Sequence, residues 1–256
     1  MATVTKTEVK KTAGNDPFAK TRIDIPEVNM DIFKCRIVGE TPLIIHAMGE
    51  KKRKEMRDLM GPKPGKTATK VRPPKDQAGE YFDAMYILNN QLDEEGNRPN
   101  PHQNDQEYSY EGIFVPLSYA DATAVHGVRA SGFRLGMVRA AKSCGAVMTD
   151  TRCNMRVRSP FGSFVPLTFE SVVSREDPVK LQGNKTDLRY RPEYSGWSVD
   201  IEIEHMSDII GPEQLIQLLR ISGRTVGVGE WRNERGGEFG AFDVDLDSVE
   251  LEKQTL

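Results

Sequence analysis

From Val199 to Glu204 the side chains alternate without a break, branched aliphatic at Val199, Ile201 and Ile203 and acidic at Asp200, Glu202 and Glu204. A period of two puts the aliphatic residues on one face of a strand and the acids on the other. Such a strand belongs in a sheet with one covered face and one wet face, which is the habit of antiparallel sheets. Two other segments supply the cover. Residues 213–221 follow Gly211-Pro212 and carry Leu215, Ile216, Leu218 and Leu219, so the spacing predicts a helix opened by Pro212 and stopped at Gly223. Residues 131–143 gather Phe133, Met137, Val138, Ala140 and Ala141 into an apolar face, away from Arg134, Arg139 and Lys142, which predicts a second amphipathic helix.

The rest of the chain fits around these elements. Residues 30–39 alternate again and predict a half-buried strand; 41–46 follow it, and Pro42 suits an edge or a strand exit. Residues 81–88, 112–116, 153–158, 164–167, 171–174 and about 239–249 read as further strands, and 118–125 as a short helix. Residues 49–60 read as a short basic helix ended by Gly61-Pro62, and 63–79 and 93–110 as polar loops. Strands mixed with a few helices predict an α+β fold, with helices on one face of an antiparallel sheet. Residues 1–29 lack periodicity and are expected to form a flexible N-terminal arm, either a solvated tail or one that docks on a neighbouring subunit. Residues 30–256 show no internal repeat and no clean boundary, and are expected to form one domain.

Composition narrows the function. With 256 residues the chain can bury a real core, yet 38% hydrophobic and 29% charged residues are polar for a compact domain. Long solvated loops, or an interface with nucleic acid or with other subunits, would account for that. The net charge of −3 argues against a protein that is basic all over, so local charge has to carry any attraction to phosphate. Three cysteines without a C-x-x-C pair suggest neither a disulfide framework nor a structural zinc. No secretory signal opens the chain and no run approaches the ~20 apolar residues that span a bilayer. The expectation is a cytoplasmic protein (host cytoplasm if viral) with no membrane partner.

Enzyme and cofactor motifs are scarce. Residues 61–67, Gly-Pro-Lys-Pro-Gly-Lys-Thr, fall one residue short of a phosphate-binding P-loop, follow a charged helix where a buried strand is needed, and lose backbone donors to two prolines. The histidines at 46, 102, 126 and 205 are scattered, with no helical pairing of the kind metal sites use. Neither G-x-S-x-G nor H-E-x-x-H occurs, so no cofactor and no metal are expected. A basic track is the clearer signal. Lys51, Lys52, Arg53, Lys54 and Arg57 lie within two helical turns, and Lys63, Lys66, Lys70, Arg72 and Lys75 continue the charge along the loop. It reads either as a solvated charged face or as a path for phosphates, whose neutralisation releases counterions. In residues 185–197, Arg189 and Arg191 interleave with Tyr190, Tyr194 and Trp197, which suits stacking on bases or a loop packed on a sheet.

The last informative segment is rich in glycine. Gly223-Arg224-Thr225-Val226-Gly227-Val228-Gly229-Glu230-Trp231-Arg232 leads through Asn233-Glu234-Arg235-Gly236-Gly237-Glu238 to Phe239-Gly240-Ala241-Phe242. It joins a predicted helix to a predicted strand, the reverse of a dinucleotide-binding loop. A helix, a G-x-G-x-x-R stretch and G-x-F-G-x-F before a terminal strand resemble the glycine-rich loop of the RAMP superfamily, which includes backbone subunits of CRISPR effector complexes and CRISPR-RNA processing endoribonucleases. Thr41-Pro42-Leu43-Ile44 resembles the turn after that family's first strand, and residues 131–141 resemble its helix with a small-residue start and a downstream Arg-Ala. Uncharacterised phage proteins with a G-x-G-x-W-R segment near their ends are similar too.

The resemblance implies a ferredoxin-like or RRM-like antiparallel sheet core with helices on one face and long loop insertions near 61–79, 92–110 and 150–197. It also implies a non-catalytic protein that binds single-stranded RNA or DNA with low sequence specificity and oligomerises with itself along the strand, as a helical or filamentous assembly. The contacts would come from the basic track, from Arg134, Arg139, Arg189, Arg191, Arg232 and Arg235, and from the backbone at Gly227 and Gly229. Two alternatives stand beside it. One is a metal-independent endoribonuclease with His46 as general acid or base, since a histidine after the first strand has that role in the processing relatives. The other is a phage assembly protein, or a decoy that engages a defence complex.

Overall fold

The structure, a computed structural model, describes residues 28–49, 56–57, 60, 76–88, 114–122, 124–180 and 186–254. Of the arm expected over residues 1–29, residues 1–27 lie outside the described residues, as does most of the basic track, including Lys51, Lys52, Arg53, Lys54, Lys63, Lys66, Lys70, Arg72 and Lys75.

The first strand, β1 (Met30–Gly39), is followed by the short β2 (Leu43–Ile44), helix α1 (Gln77–Asp83), β3 (Leu117–Ser118) and β4 (Gly127–Arg129). Then come helices α2 (Ala130–Ser143) and α3 (Met148–Cys153) and strands β5 (Met155–Arg158), β6 (Phe164–Pro166), β7 (Ser171–Lys180), β8 (Thr186–Ser195) and β9 (Ser198–Met206). Helix α4 (Pro212–Thr225) and strand β10 (Phe242–Gln254) close the order. The main sheet runs β10-β1-β9-β5, antiparallel throughout. Taking β1, α2, β5, β9, α4 and β10 as the core, that spatial order is fourth, first, third, second, the split βαβ pattern of ferredoxin-like folds. The connection from β5 to β9 carries β6, β7 and β8, which pair with strands from the β1–α2 connection to form a second sheet, β2-β8-β7-β3, and the pair β4-β6.

The alternation in β9 does what its period predicts. Val199, Ile201 and Ile203 are buried, and across the ladder they meet Ile37, Cys35 and Phe33 of β1, also buried. Phe133 of α2 reaches Phe242 of β10 edge-on with ring centroids 5.6 Å apart, and Leu215 and Leu219 of α4 are fully buried, so both helices cover this face. Gly136 lets them approach closely: a Cβ there would stand 2.2 Å from Ser222 Oγ on α4. Helix α4 opens on Pro212, with Gln214 Oε1 accepting from Gly211 N at 2.9 Å, as a helix start requires.

The opposite face of the main sheet is charged. Lys34 pairs with Glu252 at 2.9 Å, Arg36 with Asp200 at 2.7 Å and Arg158 with Glu202 at 3.7 Å. Exposed pairs of this kind contribute little to stability, so the mesh keeps the face wet more than it holds the fold. The carboxylates beside Lys34 and Arg36 hold both cations above their ordinary pKa, Glu252 first for the lysine and Asp200 first for the arginine. An RRM-type sheet would present aromatic rings here for bases to stack on; this one presents ion pairs at those positions.

Several expectations are corrected. Residues 77–83 are helical where 81–88 read as a strand: Asp76 caps the helix by accepting from Gly79 N at 2.9 Å. Residues 118–125 are not a helix but the end of β3 and a single 3-10 turn at Tyr119–Asp121. Residues 114–116 are not strand, and in 153–158 the strand starts only at Met155, after α3. The strand at 171–174 extends to Lys180, and Thr186–Ser195, read as a loop with interleaved arginines and aromatics, is its hairpin partner.

Candidate nucleic-acid interface

The glycine-rich segment folds into a clasp around the chain that leaves β1. Gly240 N donates to Pro42 O at 2.8 Å, Glu230 N to Ile44 O at 2.9 Å, and Ala241 N to Thr41 Oγ1 at 3.0 Å. Trp197 Nε1 holds the same stretch from the other side by donating to Thr41 O at 2.7 Å. Gly229 has φ +78°, and a Cβ on it would lie 2.5 Å from Ile44 O, so the close approach needs glycine for packing. Gly227 is buried at φ +73°. Both glycines predicted to offer their backbone to a ligand therefore have a structural duty in the clasp.

Within the clasp one aromatic side chain is presented outward. Trp231 is 46% exposed and sits at φ +52°, where a non-glycine residue is held at a cost of about 1–2 kcal/mol. Its backbone is fixed from two directions. Phe239 N donates to Trp231 O at 3.2 Å, and a Cβ at Gly237 would lie 1.7 Å from that oxygen. Strain kept by the surroundings at an exposed aromatic marks a position worth weighing as functional.

Beneath the clasp lies the charged face of the β7–β8 hairpin. Arg175 stands directly across from Arg191 in the ladder, an arrangement that costs stability unless anions intervene. Asp177 intervenes: it accepts from Arg175 Nε at 2.7 Å and from Arg191 Nη2 at 2.5 Å, while Glu193 accepts from Arg175 Nη1 at 2.9 Å. Asp177, ahead of Glu193, holds the Arg175 guanidinium above its ordinary pKa. The rings of the clasp close over these cations. The Arg191 guanidinium carbon is 5.9 Å from the centre of the Trp231 ring and that of Arg175 is 4.7 Å from the centre of Phe239, both within cation–π range. Arg191 itself is 2% exposed, so it supports the indole from below without reaching solvent.

The remaining predicted residues divide by what they touch. Arg134 donates to Met155 O and Arg152 O, tying α2 to α3 and β5. Arg139 and Arg232 share Glu234, and Arg232 also donates to Gly229 O at 3.1 Å, so both brace the clasp. Arg189 is half-buried on β8, whereas Arg57 and Arg235 are exposed. His46 is half-buried just beyond β2, between Ile45, whose N donates to Pro192 O, and Ala47, whose N donates to Ala84 O. Among the described residues no group of three or more His, Cys, Asp and Glu side chains is placed to hold a metal ion. No described helix is long and apolar enough to cross a membrane.

Sequence reasoning did not single out Trp231, Arg175, Asp177 or Phe239. The available signal was the Trp-Arg step inside the glycine segment; its value depended on a left-handed backbone that only the fold reveals.

No protein-family model matches the chain, and no curated protein matches it by sequence. Among solved structures it is similar to a chain of the Type III-B Cmr-beta structure determined by cryo-EM bound to cognate target RNA, with a TM-score of 0.46 and 10% identity. The likeness covers 88% of this chain and 61% of that one, so this chain spans under two thirds of its neighbour's length.

Proposed function

We propose that this protein binds single-stranded RNA or DNA without cleaving it, stacking bases on Trp231, and that copies associate along the strand. The observation that carries the reading is the exposed indole, held in a left-handed backbone by a fixed clasp and backed by a buried arginine. A π-face accepts any base, which favours low sequence specificity, and such stacking contributes about 1–3 kcal/mol per base. Arg235, exposed four residues further on, and the basic track supply cations for phosphates; the ion pairs around Arg139, Arg191 and Arg232 leave those arginines mainly to position the clasp. The RAMP-like order of motifs along the chain is consistent with such a role.

Fluorescence tests it directly, because the chain has two tryptophans and Trp197 is fully buried. Titrating oligo(U) or oligo(dT) at low salt should quench the Trp231 emission. Trp231→Ala should weaken binding about 5- to 150-fold, the span of one lost stack, with the fold intact by circular dichroism. Equal affinity of the variant and the parent would remove Trp231 from the interface; no binding of either polymer at low salt would sink the whole reading. Cleavage of structured RNA in EDTA that disappears in His46→Ala would replace it with the endonuclease.

A further inference from the structure

A second assembly of arginine and aromatic rings stands where β4 turns into α2. Arg129, the last residue of β4, lays its guanidinium over two rings at once, 5.2 Å from the centre of Tyr86 and 5.4 Å from that of Phe164. The rings support each other with their centroids 4.6 Å apart. Arg129 Nε donates to Tyr86 Oη at 2.9 Å, which fixes the plane of the guanidinium and uses one of its five N–H groups. Arg129 is exposed, and among the described residues no carboxylate pairs with it and no acceptor takes its Nη1 and Nη2 groups. Arg139, Arg175, Arg191 and Arg232, by contrast, each have a carboxylate partner.

The local fold builds this platform. The β4–β6 ladder sets Arg129 directly across from Phe164, and Gly127 N donates to Tyr86 O at 2.8 Å, which brings Tyr86 beside the same strand. Ala130 N donates to Ser163 O at 3.0 Å, so the turn before β6 closes against the start of α2 and leaves the Phe161 ring 45% exposed nearby. On its other side the first turn of α2 meets the clasp: a Cβ on Gly132 would lie 3.7 Å from Val228 Cγ1. An arginine already held flat loses little freedom when it binds, and its open fork matches two oxygens of one phosphate. A carboxylate fits the same fork, but an exposed ring beside it, which accepts a base of any kind, favours a nucleotide.

We infer that Arg129 binds one backbone phosphate of the bound single strand, with Phe161 offering its ring to an adjacent base. The inference rests on the single-strand reading of the clasp and extends the strand's path from Trp231 to the start of α2.

Fluorescence anisotropy of labelled oligo(U), measured over a range of salt concentrations, tests it. Each phosphate neutralised on a single strand contributes about 0.7 to the slope of log K against log salt, so Arg129→Gln should make that slope shallower by about 0.7. It should also weaken binding about tenfold, as expected for a lost charged hydrogen bond. A role confined to packing on Tyr86 and Phe164 would leave the slope alone. Arg129→Lys keeps the charge without the flat fork, so it should restore the slope and only part of the affinity. Trp231→Ala should weaken binding at an unchanged slope, and circular dichroism should show all the variants folded alike. A parent-like slope in Arg129→Gln would overturn the inference and leave the reading of Trp231 standing, whereas no binding of any strand at low salt would sink both. An oligo(Glu) peptide that loses affinity in Arg129→Gln while oligo(U) does not would overturn it too, by assigning the fork to carboxylates.

Discussion

Arg191 carries a charge that water hardly reaches. It survives inside the hairpin because Asp177 faces it, and Asp177 can serve two guanidiniums because Glu193 takes part of the load of Arg175. Removing the shared anion is therefore far worse than removing either cation. Asp177→Asn keeps the shape and leaves Arg191 buried without an anion, and it should cost about 3–5 kcal/mol in urea denaturation. Arg191→Met should cost much less, because Asp177 retains Arg175 and the aliphatic side chain fills the space. If the two variants unfolded at the same urea concentration, the ion network would not be what holds the hairpin face.

At the scale of elements, the clasp behaves as one unit. Gly237→Ala would drive a methyl group into Trp231 O, so the Trp231 peptide must turn. The expected cost is about 1–3 kcal/mol, as for other overpacked sites. The main sheet should be unchanged in amide exchange, and acrylamide quenching, which reads Trp231 because Trp197 is buried, should change. The elements that were legible in the sequence share a trait with β9 and α4: the side of each that faces inward is apolar, so periodicity points to it. The β7–β8 hairpin breaks that rule. One of its faces is lined by Arg175, Asp177, Arg191 and Glu193, so hydrophobic pattern ended the first strand at Ser174 and missed the second. Helix α1 was misread because Tyr81, Phe82 and Tyr86 favour strands, while the cap that decides the matter, Asp76 on Gly79 N, is a local bond that no count of apolar residues registers. The glycine segment was legible as a special backbone but not as a clasp, because its partners, Pro42 and Ile44, lie nearly 200 residues upstream.

For the whole molecule, two buried acids set the response to base. Burial pushes the Cys35 thiol from 9.0 up to about 12, and it raises the Tyr194 phenol well above its ordinary value of 10.0. Both groups keep their protons in the folded state after the unfolded chain has lost them. Stability is thus full below pH 9 and falls as pH rises toward 12, by about 1.4 kcal/mol per pH unit once Cys35 titrates in the unfolded chain, and more steeply when Tyr194 joins it. Urea midpoints measured from pH 8 to 11 should decline over that window, and Cys35→Ala should delay the onset by about one unit. A flat profile would mean that neither group is shielded from solvent.

The strand order has a consequence for how the protein comes to be folded. Met30 lies between Met206 and Gln254, so both edges of β1 wait for partners that leave the ribosome much later. Nearly the whole chain must be closed into loops before the central ladder can form, and contacts so distant in sequence make for slow folding. Until then β1 offers unpaired backbone and the side chains of Phe33, Cys35 and Ile37 to whatever is nearby. The nascent chain is most exposed to aggregation before its last strand is released, and a holding chaperone would matter more to its yield than any gain in native stability.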